Sequence, residues 1–419
     1  MSEEKETAWG RFVSAFRSSG AWKKLFLALA CVCHAAFLLN LSRPFLSPLS
    51  HDMTLFRAVR GADFNAVYMA GRYATQGANL YRAPLHEEAI AHTRYRYTPP
   101  VAFLLGIPFS LIPNPRAAYW FWIIITEFIL FVNIYLTIRF CPREERIIPA
   151  VLLWLLFFPY AVELYMGQFS FFTASLGFWC ILALLRRKET GAMVLWIPMA
   201  LLKIFPLWLA PFFWKKIGPG KTAAALLLIA ALIAPYFAFH KTDAADFFLL
   251  NFQMGKEPLD KPYFGNQGLY HFILQFRQGV PEIPPRIIPY IIYGLGLVLL
   301  GVFFRLCFQN RKDPVLLFSL GMALFFIVSL EIWEHHYVLL LPLFVLYYIT
   351  RQRAGTLFFV SYILCALPTL YFLVNPSSSF SGTGSGLSLN SSEVYLYFAI
   401  KPLGAILFIV ILFRDLRKN

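Results

Sequence analysis

Long apolar segments separated by short polar ones dominate the pattern along the chain. A membrane-spanning helix needs about 20 apolar residues, and segments of this kind recur from 22–40 to 394–413. Two polar stretches between them are long, 41–98 and 240–285. The pattern predicts an all-α polytopic membrane protein with one domain over residues 1–419 and about 11–13 membrane helices.

Proline changes the interpretation of two apolar segments. Segment 99–113 is short and has proline at both ends, which favours a re-entrant or steeply packed helix. Segment 191–214 contains two prolines, has Lys203 near its centre and is basic at both flanks. That pattern favours a hairpin that enters and leaves on the cytoplasmic side over a single kinked span. By contrast, segment 147–165 is interpreted as one outward span.

The polar stretches predict loops with some structure of their own. Apolar residues at helical spacing in 52–76, such as Phe56 and Val59, indicate short helices at the membrane interface. The Ser/Gly-rich stretch 377–392 indicates a flexible loop.

Charge fixes the expected orientation of the chain. The net charge is +15, yet only 14% of the residues are charged. Of the 37 Lys and Arg residues, 22 lie in seven short segments: 1–24, 139–146, 186–190, 215–221, 305–312, 351–353 and 414–419. Clustering beside helix ends is the positive-inside pattern, so we expect both termini in the cytoplasm and the long loops outside. The basic residues then face anionic lipid headgroups, and nucleic acid is not an expected partner.

Several classes of function lack their motifs. The chain contains no complete Gly-x-x-x-x-Gly-Lys-Ser/Thr phosphate loop, no dinucleotide-binding fingerprint and no pair of similar halves. The six cysteines lack metal-ligand spacing and are predicted to be small core residues. The N-terminal charged segment is followed by no small-residue cleavage site, so segment 22–40 is expected to be a retained helix. We therefore expect a substrate that is already activated and delivered in the membrane, with no metal or other cofactor.

Polar residues collect on the predicted extracytoplasmic face, and Lys203 joins them if its hairpin reaches that far. The groups are Asp63 with Tyr68 and Arg72; Tyr95, Tyr97 and Pro99-Pro100; Glu163, Gln168 and Asn266-Gln267; and Glu331 to Tyr337, which contains Glu334, His335 and His336. Ionisable groups at membrane depth are costly, so their convergence indicates function. A carboxylate that accepts a proton and cations that hold a phosphate suit group transfer to a hydroxyl.

Each candidate also has a structural interpretation. Asp63 is proposed as a catalytic base, but aspartate is also a favoured helix N-cap. Lys203 either extends to the membrane surface or meets an anion. Adjacent histidines on a helix point about 100° apart, so His335 and His336 are better placed to bind substrate than to share a metal.

Five short motifs, in order, resemble glycosyltransferase family 87. They are Gly61-Ala62-Asp63 with Tyr68 and the later Gly77 to Tyr81; Tyr97-Thr98-Pro99-Pro100 with Pro108; Gly167-Gln168, Gly191 and Lys203 to Pro206; Asn266 to Leu269; and Ser329 to Tyr337 with Trp333, His335 and His336. The sequence departs from the family pattern at Gly268, Glu334 and the stretch after Leu269.

The resemblance implies a membrane-integral, inverting enzyme of the GT-C class that uses a polyprenyl-phosphate sugar. It assigns the catalytic carboxylate to Asp63. The expected phosphate and sugar ligands are Lys203, His335, His336, Gln168 and Tyr97, and the expected acceptor or positioning residues are Asn266, Glu334, Tyr68 and Arg72. The sugar is expected to be mannose or another hexose or pentose, and the acceptor a lipid-linked or glycan hydroxyl outside a bacterial cell membrane. A transporter or lipid flippase is the alternative.

Overall fold

The computed structural model describes residues 7–42, 60–82, 93–252, 266–277, 284, 287–309, 312–368 and 391–418. Within these ranges the chain consists of helices and their connections, with one isolated antiparallel backbone bridge between Asn266 and Trp333. The predicted all-α polytopic fold is confirmed.

The α-helices differ widely in length. They are α1 Ala8–Ser18, α2 Ala21–Ser42, α3 Ala62–Thr75, α4 Pro99–Val101, α5 Ile107–Ser110, α6 Pro115–Phe140, α7 Ile147–Leu155, α8 Phe158–Met166, α9 Ser170–Leu185, α10 Glu189–Leu202, α11 Ala210–Ile217, α12 Pro219–Phe239, α13 Lys241–Phe252, α14 Leu269–Arg277, α15 Ile288–Phe308, α16 Pro314–Ala323, α17 Phe325–Val328, α18 Leu341–Thr350, α19 Thr356–Ala366 and α20 Ser391–Lys418. A π-helical turn, Ala102–Gly106, joins α4 to α5, and 3₁₀ helices cover Glu144–Arg146, Phe205–Leu209 and Glu334–Leu340.

Four of the described helices are long and apolar enough to cross a membrane: Ala21–Leu39 within α2, α6, α12 and α15. A fifth span is possible if α7, with the 3₁₀ turn before it, and α8 count as one bent unit. Shorter apolar helices of 10–17 residues accompany them, including α9 and α10. The total of about 11–13 membrane helices stays a prediction.

The segment predicted as one outward span, 147–165, is bent, and its crossing of the membrane as one span stays a prediction. The chain bends by 42° between Leu155 and Phe158. Pro159 explains the break, because proline has no N–H to donate and its ring clashes with the carbonyl four residues earlier, that of Leu155. The break turns α8 so that its C-terminal end carries Glu163 and Gly167 into the interior of the protein.

Segment 191–214 folds back on itself, as predicted for a hairpin. The rings of Trp196 and Phe213 have centroids 4.5 Å apart, and Trp196 Nε1 donates to the carbonyl of Pro206 at 2.9 Å. A continuous helix would separate residues 196 and 213 by about 25 Å. Lys203 has extended backbone angles at the reversal, so it lies at the tip of the hairpin. The side of the membrane from which the hairpin enters remains a prediction.

The described part of the first polar stretch packs inside the protein. Ten of the 14 residues of α3 are buried, so this helix packs against other parts of the protein. Its position at the membrane interface stays a prediction, and Phe56 and Val59 lie outside the described residues. The packing brings Gly71 and Gly106 into close contact. Only glycine allows this at position 71, because a Cβ there would be 2.0 Å from the Gly106 carbonyl carbon. After α3, Asn79 donates to Asp246 at 2.8 Å, and the Leu80 N–H donates to Asp243 at 2.9 Å. These bonds attach the first polar stretch to α13 in the second.

The prediction that all six cysteines are core residues needs correction. Cys31 and Cys33 are exposed, whereas the other four cysteines are buried. Helix α2 lies on the outside of the bundle, with only 11% of its apolar window buried, so these two thiols are not core residues. The flexible loop predicted at 377–392 lies outside the described residues except at its end, where residues 391 and 392 begin α20.

Candidate active site

Asp63 is the second residue of α3, and a sharp turn introduces it. Gly61 has left-handed backbone angles (φ +72°), and its N–H donates to the carbonyl of Tyr165 at 2.8 Å. A Cβ at this position would be 2.7 Å from the Tyr119 ring, so both the conformation and the space require glycine. Gly61, not Asp63, occupies the N-cap position. The capping interpretation of Asp63 is therefore wrong, and its carboxylate is available for another role.

Gln168 connects Asp63 to Tyr97. Its Nε2 donates to Asp63 Oδ2 at 2.6 Å, and its Oε1 accepts from the Tyr97 hydroxyl at 2.8 Å. The preceding Gly167 has φ +66° at the end of α8, and a Cβ there would be 2.6 Å from Phe64 Cβ. The Trp122 indole holds the Gln168 carbonyl at 3.3 Å. Residues from the first polar stretch and from the turn after α8 thus form one hydrogen-bonded chain.

The environment of Asp63 sets its proton affinity. Burial raises the pKa of this carboxyl group to about 6, opposed by the Gln168 hydrogen bond and by the positive charges of Lys203 and Arg96. A carboxylate with a pKa near 6 is ionised at neutral pH and binds a proton more strongly than an exposed aspartate does. These are the properties of a general base that works near neutral pH.

Lys203 brings a positive charge to the same place. Its ammonium nitrogen is 5.3 Å from the centre of the Tyr97 ring, and its charge acts on Asp63 and Glu163. Among the described residues no hydrogen-bond acceptor or carboxylate within 4 Å pairs with this nitrogen. Of the two interpretations left open by the sequence, the structure favours a lysine near anions over one that extends to the surface.

Glu163 is a buried carboxylate near this lysine. Its Oε1 accepts the backbone N–H of Phe171 at 2.6 Å, at the start of α9. Among the described residues its buried Oε2 has no hydrogen-bond partner. Glu163 and Lys203 therefore lie within electrostatic reach of each other in the interior.

The two histidines lie on the 3₁₀ helix Glu334–Leu340, with ring centroids 4.3 Å apart. His336 Nδ1 accepts the Trp333 N–H at 3.0 Å, so this ring is neutral and its Nε2 carries the proton. The buried His335 Nε2 has no hydrogen-bond partner among the residues that the structure describes. Lys203 acts electrostatically on both rings. The described residues contain no group of three or more His, Cys, Asp or Glu side chains suited to a metal.

Hydrogen bonds thus join Asp63, Gln168 and Tyr97, and the charge of Lys203 acts both on Asp63 and on the two histidines. Tyr68 and Arg72 do not join them. They follow Asp63 by five and nine residues, which turns them about 140° and 180° around the helix. The Tyr68 hydroxyl instead donates to the carbonyls of Ile112 and Pro113. Their acceptor role stays a prediction.

Asn266 and Glu334 contact neighbouring protein groups. Asn266 Oδ1 accepts the N–H groups of Gly268 and Ile332, and its Nδ2 donates to the Leu330 carbonyl, all at 3.0 Å. The amide therefore fixes the loop that leads to the histidines. Glu334 pairs with Lys401 at 3.3 Å.

Lys401 was missed by the sequence interpretation. Its ammonium group is buried in α20 and donates to the carbonyls of Cys365 and Leu367. The indication was present, because Lys401 is a lone cation inside an apolar segment, as Lys203 is. Arg96 was also missed. Its charge acts on Asp63, Lys203 and His336, but it lies in a loop with many other charged residues, and the sequence does not distinguish it from them.

A carboxylate, two imidazoles and an ammonium group for which the described residues offer no hydrogen-bond partner lie near one another in this all-α membrane protein, and side chains of these types suit group transfer. The chain belongs to glycosyltransferase family 87, which matches residues 95–329, more than half of its length. The matched range contains Tyr97, Gln168, Lys203 and Asn266, whereas Asp63 and the histidines lie outside it. No curated protein matches the chain. The chain is therefore a glycosyltransferase and an integral membrane protein.

Proposed function

We propose that this glycosyltransferase moves a sugar from a polyprenyl-phosphate donor to a hydroxyl of a lipid-linked or glycan acceptor, with inversion. The transferred sugar is mannose or another hexose or pentose, and the site faces the extracytoplasmic side of a bacterial cell membrane. The observation that carries the proposal is that the charge of Lys203 acts on Asp63, the proposed base, while the described residues offer the Lys203 ammonium no hydrogen-bond partner and leave it available for a phosphate.

The chemistry follows from these groups. Asp63 takes the proton of the acceptor hydroxyl as its oxygen bonds to the anomeric carbon from the face opposite the phosphate. The bond between the anomeric carbon and the phosphate oxygen breaks, and its electron pair stays on the polyprenyl phosphate. An oxocarbenium-like transition state needs an aimed nucleophile and a stabilised leaving group. One carboxylate and a cationic phosphate site supply both.

The other residues have supporting roles in this proposal. Lys203 and His335 bind the phosphate, and His336 can donate through the proton on its Nε2. Gln168 orients Asp63, and Tyr97 orients Gln168 and offers its ring to the sugar. Asn266 and Glu334 act as positioning residues, because they fix the segment that carries the histidines.

A transfer assay tests the proposal directly. The purified protein in lipid nanodiscs is incubated with short-chain polyprenyl-phosphate mannose and a membrane glycolipid extract as acceptor source, with glucose and arabinose donors in parallel. We expect release of polyprenyl phosphate and a new glycoside of inverted anomeric configuration. If all donors remain unaltered but cross liposome membranes, the transporter or flippase alternative replaces the proposal.

The rate should depend on pH through Asp63. Only the ionised carboxylate accepts a proton, and burial raises its pKa to about 6. We therefore expect kcat/KM to fall about tenfold per pH unit below about pH 6 and to be level above it. The phosphodiester donor keeps one negative charge throughout this pH range, so its ionisation adds no further change to the pH profile. A level profile between about pH 5 and 8 would contradict the assignment.

Gln168 should tune that pH dependence. In a Gln168→Leu variant Asp63 loses the N–H donor that stabilises its ionised form, so the pKa of Asp63 rises. We expect the acid limb to move to higher pH and kcat at neutral pH to fall about 10- to 100-fold.

The control is Tyr97→Phe, which removes the hydroxyl on the far side of Gln168 but leaves the bond to Asp63. Its acid limb should move less than that of Gln168→Leu. If the acid limb of the pH profile moves equally in both variants, the hydrogen bond from Gln168 to Asp63 is not what sets the pKa, and Gln168 acts only through packing.

A further inference from the structure

An ion pair lies beside the active site and joins two separate parts of the chain. Arg96 Nη1 is 2.8 Å from Glu331 Oε2. Both side chains are about half exposed, at 52% and 57%. Exposed pairs of this kind contribute about 0–1 kcal/mol, so Arg96 can exchange Glu331 for another anion at little cost.

The backbone on each side of this pair is held firmly. Arg96 lies between Tyr95 and Tyr97, both buried, whose hydroxyls donate to Thr98 and to Gln168. Glu331 lies between Leu330 and Ile332, whose backbone groups both bond to Asn266. The two charged side chains therefore have fixed attachment points and exposed ends.

Arg96 is close enough to influence the active site. Its charge acts on Asp63, on Lys203 and on His336. Arg94, two residues earlier, is exposed and acts on none of these groups. A guanidinium also has the planar donor geometry that suits bidentate phosphate binding.

The proposed reaction changes the charge of the phosphate. The donor is a phosphodiester with one negative charge. The leaving group is a phosphate monoester, whose second ionisation has a pKa of about 6, so its charge at pH 8 is close to −2. One negative charge thus develops on the phosphate during the step. A cation that binds the product more strongly than the donor stabilises the transition state selectively.

We propose that Arg96 leaves Glu331 to bind the phosphate of the departing polyprenyl phosphate, with Glu331 acting as a competing anion that weakens binding of the singly charged donor. The inference rests on the proposed function, because it uses the same phosphate site. It assigns Arg96 to recognition of the leaving group and Glu331 to discrimination between phosphate diester and monoester.

Equilibrium binding separates this role from a structural one. Kd is measured at pH 8 in nanodiscs for short-chain polyprenyl phosphate and short-chain polyprenyl-phosphate mannose. In Arg96→Gln we expect about tenfold weaker binding of the monoester, the usual effect of losing one charge-assisted hydrogen bond, with the diester changed by less than about twofold. In Glu331→Gln we expect the monoester to bind more tightly than in the wild type. Arg94→Gln, with the same charge change, should alter neither value.

The remaining outcomes are decisive. Equal weakening of both lipids in Arg96→Gln, or weaker monoester binding in Glu331→Gln, would overturn the role of the pair and leave the proposed function standing. A folded wild-type protein that binds neither lipid would overturn the proposed function itself. At about pH 5 the monoester carries one charge, so the difference between Arg96→Gln and the wild type should then disappear; its persistence counts against the proposal.

Discussion

An Asp63→Asn variant should transfer sugar about a thousandfold more slowly than the wild type, the usual contribution of a general base. Asparagine has nearly the same shape, and its Oδ1 can still accept the Gln168 N–H that Asp63 accepts at 2.6 Å. It cannot take the acceptor proton. Single-turnover transfer should therefore fall while Kd for short-chain polyprenyl-phosphate mannose stays within about threefold.

The stability of this variant gives an independent check. The pKa of Asp63 is raised to about 6, so the folded protein holds this proton more tightly than the unfolded chain does. The wild type therefore loses stability as the pH rises from 3.8, the ordinary pKa of aspartate, to about 6, and does not regain it at higher pH. Asp63→Asn, which does not ionise, should have an equal or higher Tm than the wild type at pH 8.

Asp243→Asn provides the matched control, because it makes the same change in another buried carboxylate. Asp243 accepts hydrogen bonds from the Leu80 N–H and the Tyr236 hydroxyl. We expect this variant to lose thermal stability and to keep its kcat per folded molecule. A folded Asp63→Asn protein with near wild-type turnover would exclude Asp63 as the base.

The sequence alone predicts the fold class and much of its segmentation. The length of the apolar segments predicts helices such as α6 and α12. A membrane-spanning helix needs about 20 apolar residues, and these lie next to one another in the sequence. Two prolines and two basic flanks predict the hairpin that places Lys203 at its tip. Each of these inferences depends on residues close together in the chain.

The contacts that define the site depend on tertiary packing, which one sequence does not specify. Asp63 and Gln168 are 105 residues apart, and their contact requires the bend at Pro159, the turn at Gly167 and the turn at Gly61. Position in the first loop grouped Tyr68 and Arg72 with Asp63 as acceptor or positioning residues, but helical rotation turns them away from it. Asn266 was expected to contact substrate, yet its described hydrogen bonds are all to the protein backbone.

A Lys203→Met variant should bind short-chain polyprenyl-phosphate mannose about a hundredfold more weakly than the wild type. A partly buried ammonium and a phosphate form a desolvated charge pair, and removal of one partner of such a pair costs about 2–5 kcal/mol. The fold should tolerate the change, because the described residues offer this ammonium no hydrogen bond that would be lost. Calorimetric binding and thermal unfolding in the same nanodiscs measure both effects.

Two other lysines serve as controls for Lys203→Met. They test whether a variant that loses donor affinity but keeps its Tm has lost a cation that binds the donor. Lys221, near the start of α12, pairs with Glu189 at 2.6 Å, and both side chains are about half exposed. Lys221→Met therefore changes the same charge and should leave donor affinity unaltered. Lys401→Met removes a buried ammonium that bonds two carbonyls and pairs with Glu334, so it should lower Tm sharply. If Lys203→Met instead lowers Tm as Lys401→Met does and keeps its donor affinity, then Lys203 stabilises the fold by balancing Asp63 and Glu163, and the phosphate is bound elsewhere.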